Sequence, residues 1–272
     1  MSATDRWKTR VEMHHEQSLR AQEDLELPVD FWQPFASAFR ADPHRTDDPL
    51  VDRLAREVTS GDTLLDVGGG AGRLALPLAL RCRHVAVVEP SESMLDELRD
   101  VATEAGIDNL TVIEGSWDDV EVRPADVTLC SHVVYGISEI VPFVNKLDSS
   151  ATGRVLVMVY TDGPQSQLSP FWNAAHGEER IDLPALPEFL EVLWEMELYP
   201  DVEMLQTGRS QSFESRDEAL EMLRRRLYVV PGSDKDGRLM EAASALLEVT
   251  PDGLVISDAK PRRQALVSWR PE

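Results

Sequence analysis

Cysteine and lysine are scarce in this 272-residue chain, and their scarcity argues against several function classes. Cys82 and Cys130 form no CxxC pair, and each falls in an apolar stretch. That speaks against a disulfide framework and a thiolate metal site; both thiols read as small buried hydrophobes in a reducing compartment. Only four of the 27 basic residues are lysine, and 49 acids leave a net charge of −22. Such a surface repels phosphate backbones, so nucleic acid is disfavoured as a partner. The one dense basic cluster, Arg224 to Arg226, reads as the solvated side of a helix. No apolar run approaches the ~18 residues that a bilayer span needs. Met1 to Arg10 lacks the apolar stretch of a secretory leader. A cytoplasmic protein without a membrane partner is expected.

What is present is a core-forming composition, 42% hydrophobic, with a clear change of pattern along the chain. Residues 4 to about 26 carry a charged helical pattern with Trp7, Val11 and Leu19 among the few apolar positions. Phe31, Phe35 and Phe39 recur every four residues, which predicts a helical face, and a further helix is expected over about 49–59. From residue 62 short apolar strands alternate with helices: Thr63–Val67, His84–Glu89, Leu110–Glu114, Asp126–Ser131 and Arg154–Tyr160. Helices are expected to begin near Gly72, Ser91, Ser138 and Ser215. Strands that are apolar nearly throughout, joined by helical crossovers, predict a parallel sheet covered on both faces. Residues 163–200 break the alternation with five prolines and five aromatic residues, a segment expected to form a lid. Val202–Leu205 and Ala265–Trp269 read as late strands. Between them, helices over 215–228 and 236–248 form an elaboration of about 214–250. The expected organisation is therefore N-terminal helices over 1–60, capping the site, and an α/β domain over 61–272.

The chemistry concentrates at Asp66-Val-Gly-Gly-Gly-Ala-Gly-Arg73, where a strand ends in a glycine turn. Gly68, Gly70 and Gly72 remove Cβ atoms where a ligand would lie against the backbone. A helix opening after Gly72 would add unpaired N–H groups. Two cofactor classes compete for such a loop. Gly70-Ala-Gly72-Arg-Leu-Ala75 fits G-x-G-x-x-A, and Glu89 ends the next strand, as in dinucleotide sites. Asp66 at the strand tip, however, would crowd a pyrophosphate with like charge. It suits a nucleoside that carries an ammonium and a sulfonium.

With Asp66 ahead of the glycines the stretch reads D-x-G-x-G-x-G, and here the chain resembles the class I S-adenosylmethionine-dependent methyltransferases. Val87-Val-Glu-Pro-Ser-Glu-Ser-Met-Leu95 is similar to their second motif, whose acid, here Glu89, accepts both ribose hydroxyls. Ile113-Glu-Gly-Ser-Trp-Asp118 resembles the third, adenine-side motif. Ser116 stands where many relatives carry Asp, so Trp117 or Asp118 becomes the substitute. Ala125 to Tyr135 resembles the fourth, the strand beneath the methyl group. The four motifs run in the family's order over residues 62 to about 160. The resemblance implies an α/β, doubly wound, seven-stranded, mostly parallel sheet of order 3-2-1-4-5-7-6, its last strand antiparallel. It implies S-adenosylmethionine as cofactor and S-adenosylhomocysteine as product. Its cofactor-site candidates are Asp66, Gly68, Gly69, Gly70, Gly72, Arg73, Glu89, Pro90, Ser91, Met94, Gly115, Ser116, Trp117, Ser131 and His132.

His132, one residue beyond the fourth strand, is the candidate base or substrate contact; its blander role is a hydrogen-bonded histidine at a helix start. Tyr135, Trp172, His14, His15 and Trp32 are the substrate-side candidates. Adjacent His14 and His15 diverge on a helix, and no second pair with ligand spacing accompanies them, so no metal is expected. The fourth strand is not followed by Asn/Asp-Pro-Pro-Tyr/Phe, and there is no Pro-Cys pair. These absences argue against planar-nitrogen and pyrimidine C5 acceptors. With the acidic surface they leave a small-molecule acceptor methylated on O or N, and a protein acceptor behind it. Competing functions are an NAD(P)- or flavin-dependent oxidoreductase and a non-catalytic protein that binds S-adenosylmethionine or S-adenosylhomocysteine. Oligomeric state stays open, a homodimer included.

Overall fold

The computed structural model describes residues 1–23, 25, 28–205, 212–251, 253–257, 259 and 261–271. In chain order its strands are β1 (Thr63–Val67), β2 (His84–Glu89), β3 (Leu110–Glu114), β4 (Ala125–Ser131), β5 (Ala151–Tyr160), β6 (Asp201–Leu205), β7 (Ser212–Phe213), β8 (Leu247–Thr250), β9 (Gly253–Ile256) and β10 (Gln264–Trp269). Its α-helices are α1 (Ala3–Gln22), α2 (Pro49–Leu54), α3 (Ala75–Ala79), α4 (Glu92–Glu104), α5 (Ile140–Ser149), α6 (Ser169–His176), α7 (Leu186–Glu195), α8 (Arg216–Leu227) and α9 (Asp234–Leu246). Tertiary contacts gather the chain into two compact units: residues 28–159, 193–205 and 265–272, and residues 1–27, 160–192 and 206–264. Among the described residues no helix is long and apolar enough to cross a membrane.

The first of these units is built on a seven-stranded sheet of order β3-β2-β1-β4-β5-β10-β6, the order the motifs imply. β1 pairs in parallel with β2 and with β4, β2 with β3, and β4 with β5. The strand order reverses between β1 and β4, so a crevice opens at their carboxyl ends, where open α/β sheets take their ligands. Val155 to Val159 of β5 are all buried, which requires covering layers on both faces. α4 supplies part of one layer through Met94, Leu95, Leu98, Val101 and Ala102, and Ser91 caps it by accepting Met94 N.

Four local expectations in this unit needed correction. α3 begins at Ala75, three residues later than expected, and runs only five residues, every one buried, although Leu76 N already donates to Gly72 O at 2.9 Å. Phe31, Phe35 and Phe39 do not share a helix: only a 3-10 turn over Ala36–Phe39 forms, and Phe31 and Phe39 stay substantially exposed. Asp30 diverts the chain there by accepting Trp32 N in an Asx turn. The helix expected to 59 ends at Leu54, followed by a 3-10 turn. β4 and β5 start earlier than their apolar runs, because a register irregularity near Ala125–Val127 lets Ala125 pair with Ala151.

In the other unit, Ser2 and Asp5 form a capping box on α1, which buries Trp7, Val11, His14, Gln17 and Ser18 on one side. Phe171 and Trp172 of α6 pack in a core with Leu223 of α8 and Leu239 of α9. The residues expected to continue the last helix to 248 instead leave it at Leu246 and enter a three-stranded antiparallel sheet, β7-β9-β8. Pro251-Asp252-Gly253 between two apolar runs is the turn signal that marks this hairpin in the sequence.

Candidate active site

β1 delivers Asp66 to the sheet's carboxyl edge, 2% exposed, and the glycine turn follows. Backbone in the left-handed region at Gly68 (φ +71°), Gly70 (φ +55°) and Gly72 (φ +77°) explains three of the glycines. A Cβ on Gly68 would also lie 2.4 Å from Val133, whereas one on Gly70 would meet nothing nearer than Met94 Sδ at 3.9 Å. Gly70 is therefore the open side of the turn. Most of the turn's N–H groups are already spent. Gly68 N and Gly69 N donate to Val88 O, Gly72 N donates to Gly69 O, and Gly70 N donates to Glu89 Oε2 at 3.0 Å. A pyrophosphate would need those donors. Here they are turned inward and two carboxylates stand in their place.

Glu89 uses one lone pair of each oxygen on backbone, accepting from Gly70 N and from Ser91 N at 3.0 Å. The remaining acceptor capacity suits a vicinal diol. Burial raises its carboxyl, offset in part by the two N–H groups, and the charge of Asp30 adds to the rise. Asp66 has no such relief. Its Oδ1 is buried without a hydrogen-bond partner, and burial, then the charge of Glu89, pushes the carboxyl up to about 7. Two mutually repelling acids, one with an orphaned oxygen, are an arrangement that a cation can neutralise.

The segment over 28–39 joins this site through Asp30, which sequence reasoning passed over. Asp30 accepts Ser91 Oγ (2.8 Å), Ser93 Oγ (2.6 Å), Ser93 N (3.1 Å) and Trp32 N (2.9 Å). Burial pulls its carboxyl upward, but those hydrogen bonds outweigh it and hold the group at about 2. The latch sets Trp32 against Ala36, Ala71 and Met94, beside the glycine turn. The one legible signal is an acid two residues ahead of Trp32, the Asx-turn spacing.

At the tip of β4, His132 adopts a left-handed backbone (φ 60°), a conformation that bulky side chains seldom hold without a reason. Its Nδ1 lies 2.9 Å from Tyr135 Oη, and the two ring planes are nearly parallel, 9° apart. The turn also throws Val133 against Gly68, so the β4 tip and the glycine loop are packed together. Ser131 Oγ contacts Met158 Sδ at 3.8 Å.

The other candidates sort by position. Gly115 ties β3 to β2 by donating to Glu89 O at 3.2 Å, and Ser116 Oγ donates to Asp119. Trp117 is buried, with its Nε1 directed to Phe143 O and Lys146 Nζ 4.6 Å above its ring; Asp118 beside it is exposed. Pro90 is exposed and Met94 buried. The Arg73 guanidinium reaches Asp48 at 3.5 Å, while Arg45 Nη2 donates to Arg73 O, which fastens the loop's exit to the start of α2. His14 and Trp172 lie in the other compact unit, joined there by Arg180. Its Nη2 is 2.8 Å from His14 Nε2, and its guanidinium sits 4.0 Å over the Trp172 ring. Burial, then the Arg180 charge, lowers His14 to about 4; the same causes lower His15. Trp172 Nε1 is buried without a partner.

Comparison with known proteins bears on the same stretch. Residues 64–147 match the family described as "Methyltransferase domain". The chain is 35% identical over 105 residues to a probable ribosomal RNA small subunit methyltransferase A of Pyrobaculum aerophilum, covering 38% of this chain and 43% of that protein. It is 29% identical over 110 residues to a ribosomal protein L11 methyltransferase of Clostridium perfringens, covering 40% and 35%. The chain thus spans about half the length, or less, of the curated relatives it matches. Among solved structures, a SAM-dependent methyltransferase from Thiobacillus denitrificans in complex with S-adenosyl-L-homocysteine shares the fold. Its TM-score is 0.54 at 15% identity, over 91% of this chain and 100% of that one.

Proposed function

We propose that the chain, whose residues 64–147 match the family described as "Methyltransferase domain", is a class I S-adenosylmethionine-dependent methyltransferase that transfers a methyl group to an oxygen or nitrogen of a small-molecule acceptor. The observation that carries the cofactor reading is the orphaned Oδ1 of Asp66 beside a glycine turn whose N–H groups are mostly spent. That arrangement repels a pyrophosphate and accepts a sulfonium nucleoside, so it favours methyl transfer over hydride transfer. When bound, S-adenosylmethionine supplies an electrophilic methyl group and a neutral thioether leaving group.

The chain's own residues would act as follows. Glu89 takes the ribose hydroxyls with its unused acceptor sites, and Asp66 balances the cationic end. Gly70 lets the nucleoside lie against backbone, and Trp32, latched by Asp30, covers it. Much of the rate enhancement comes from holding the acceptor atom in line with the methyl group. An oxygen acceptor must also lose a proton. In the tautomer whose Nδ1–H donates to Tyr135 Oη, His132 Nε2 would be the nitrogen that takes it.

A second reading, an RNA acceptor, is favoured by the Pyrobaculum relative, whose printed name is that of an RNA methyltransferase. The net charge of −22 opposes it. A thermal shift tests the cofactor: S-adenosylmethionine or S-adenosylhomocysteine at 100 times its dissociation constant should add about 2.7 kcal/mol. Stabilisation by NADH with indifference to both sulfur nucleosides would sink the proposal. Transfer of labelled methyl into ribosomal RNA, and not into a metabolite extract, would replace the small-molecule acceptor with the second reading.

A further inference from the structure

The compact unit of residues 1–27, 160–192 and 206–264 holds a cavity of about 340 Å³ that the methyl-donor site does not use. Its size suits a one-ring ligand. Pro170, Ile256 and Pro261 give it an apolar wall, and Tyr160, the last residue of β5, adds an aromatic face. Arg262 and Arg263 supply its charge. Arg262 lies 5.5 Å over the Tyr160 ring, and Thr161 N donates to Arg263 O at 2.9 Å, which pins the arginine pair beside Tyr160. Most arginines of this acid-rich chain find a carboxylate. Among the described residues neither Arg262 nor Arg263 has one within ion-pair distance. Arg226 is near enough to Arg262 to feel its charge, so the cluster is more positive than its two members alone. Asp162 also lines the cavity and opposes an anion, though one of its oxygens already accepts Thr161 Oγ1 at 2.7 Å.

We propose that this cavity is a binding site for a small aromatic carboxylate, its carboxylate held by Arg262 and Arg263 and its ring against Tyr160 and the proline–isoleucine wall. The physical case is local charge. A net charge of −22 disfavours free anions over most of the surface, Arg262 and Arg263 have no carboxylate partner among the described residues, and a guanidinium matches a carboxylate with two parallel hydrogen bonds. The apolar wall then selects an organic anion over an inorganic one. The site is independent of the methyl-donor reading, because no reacting atom is placed in it.

Isothermal titration of the full chain, without any methyl donor, tests the proposal with phenylacetate, its neutral isostere phenylacetamide and inorganic phosphate. Phenylacetate should bind at least tenfold more tightly than the other two, about 1.4 kcal/mol. Combined Arg262→Gln and Arg263→Gln substitution should remove that preference, and Asp162→Asn should strengthen phenylacetate binding severalfold. Arg263 is exposed, so Arg263→Gln alone, with an unchanged circular dichroism spectrum, keeps the test valid if the double variant fails to fold. Equal binding of acid and amide, binding of phosphate as tight as phenylacetate, or no saturable phenylacetate binding would each overturn the proposal. None of those results would touch the thermal-shift outcome with S-adenosylmethionine.

Discussion

Asp30 and Asp66 belong to the same compact unit and bracket the same glutamate, yet they are treated in opposite ways. Asp30 accepts hydrogen bonds from two serine hydroxyls and two backbone N–H groups, and its carboxyl is held at about 2. Asp66 is more deeply buried, keeps one oxygen without a partner, and is raised to about 7 by burial and by Glu89. A buried polar atom left unsatisfied costs about 1–3 kcal/mol. The saturated acid fastens the segment over 28–39 to α4; the other, with Oδ1 unsatisfied, is the one proposed above to face the cofactor's cationic end.

The comparison can be broken most directly at Asp66. Asp66→Asn should weaken S-adenosylmethionine binding at least 100-fold, about 2.7 kcal/mol, by calorimetry. The same variant should change the pH profile of the ligand-free protein. Because the folded carboxyl titrates near 7 and the unfolded one near 3.8, the folded state holds a proton that the unfolded state releases. Stability is then undiminished below about pH 4 and falls as pH rises through 7, and Asp66→Asn should flatten that fall in urea denaturation. Unchanged affinity together with an unchanged profile would show that Asp66 is not the cation seat.

The loop itself offers effects of similar size. Gly68→Ala adds a Cβ 2.4 Å from Val133 at φ +71° and should cost about 3 kcal/mol, from strain and overpacking together. Gly70→Ala, at φ +55° with open space around it, should cost about 1 kcal/mol of stability while impairing cofactor binding. Equal losses would mean that the turn has no open side. Asp30→Ala should then cost about 1–2 kcal/mol, the scale of a lost cap. Its sign with pH opposes that of Asp66. A carboxyl lowered to about 2 stabilises the fold above about pH 4, and the benefit is lost as pH falls through 2. Smallest in stability is His132→Gly, which should gain up to about 1 kcal/mol by relieving the left-handed backbone, yet lower turnover on an oxygen acceptor roughly 100-fold. A variant that keeps full turnover would return His132 to a purely local role.

The bounds of β1, β2 and β3 were legible residue for residue, because each is a short apolar run closed by polar residues. The same pattern gave the helices after Ser91 and Ser215, both of which cap by accepting an N–H three residues on. The Phe31–Phe39 spacing misled, because periodicity records which residues could share a face and takes no account of an aspartate that diverts the chain before them. The hairpin of β8 and β9 was masked by helix-forming residues that run up to Leu246 without a break in pattern. Asp30 was illegible for a different reason: its partners, Ser91 and Ser93, lie about sixty residues away, and nothing in a serine's identity says which acid it will bond.

The sequence by itself settled the sheet's alternation, the sign of charge at the first strand's tip and the turn that only glycine fits, since each is a local matter of side-chain volume, polarity and backbone freedom. Tertiary structure alone decided that most of the turn's N–H groups face inward, that Asp66 Oδ1 stays unsatisfied while Asp30 is saturated, and that His132 meets Tyr135. Those outcomes depend on which distant donors and acceptors packing brings within 3 Å, and hydrogen bonds and buried charge, unlike periodicity, have no meaning until that distance is set.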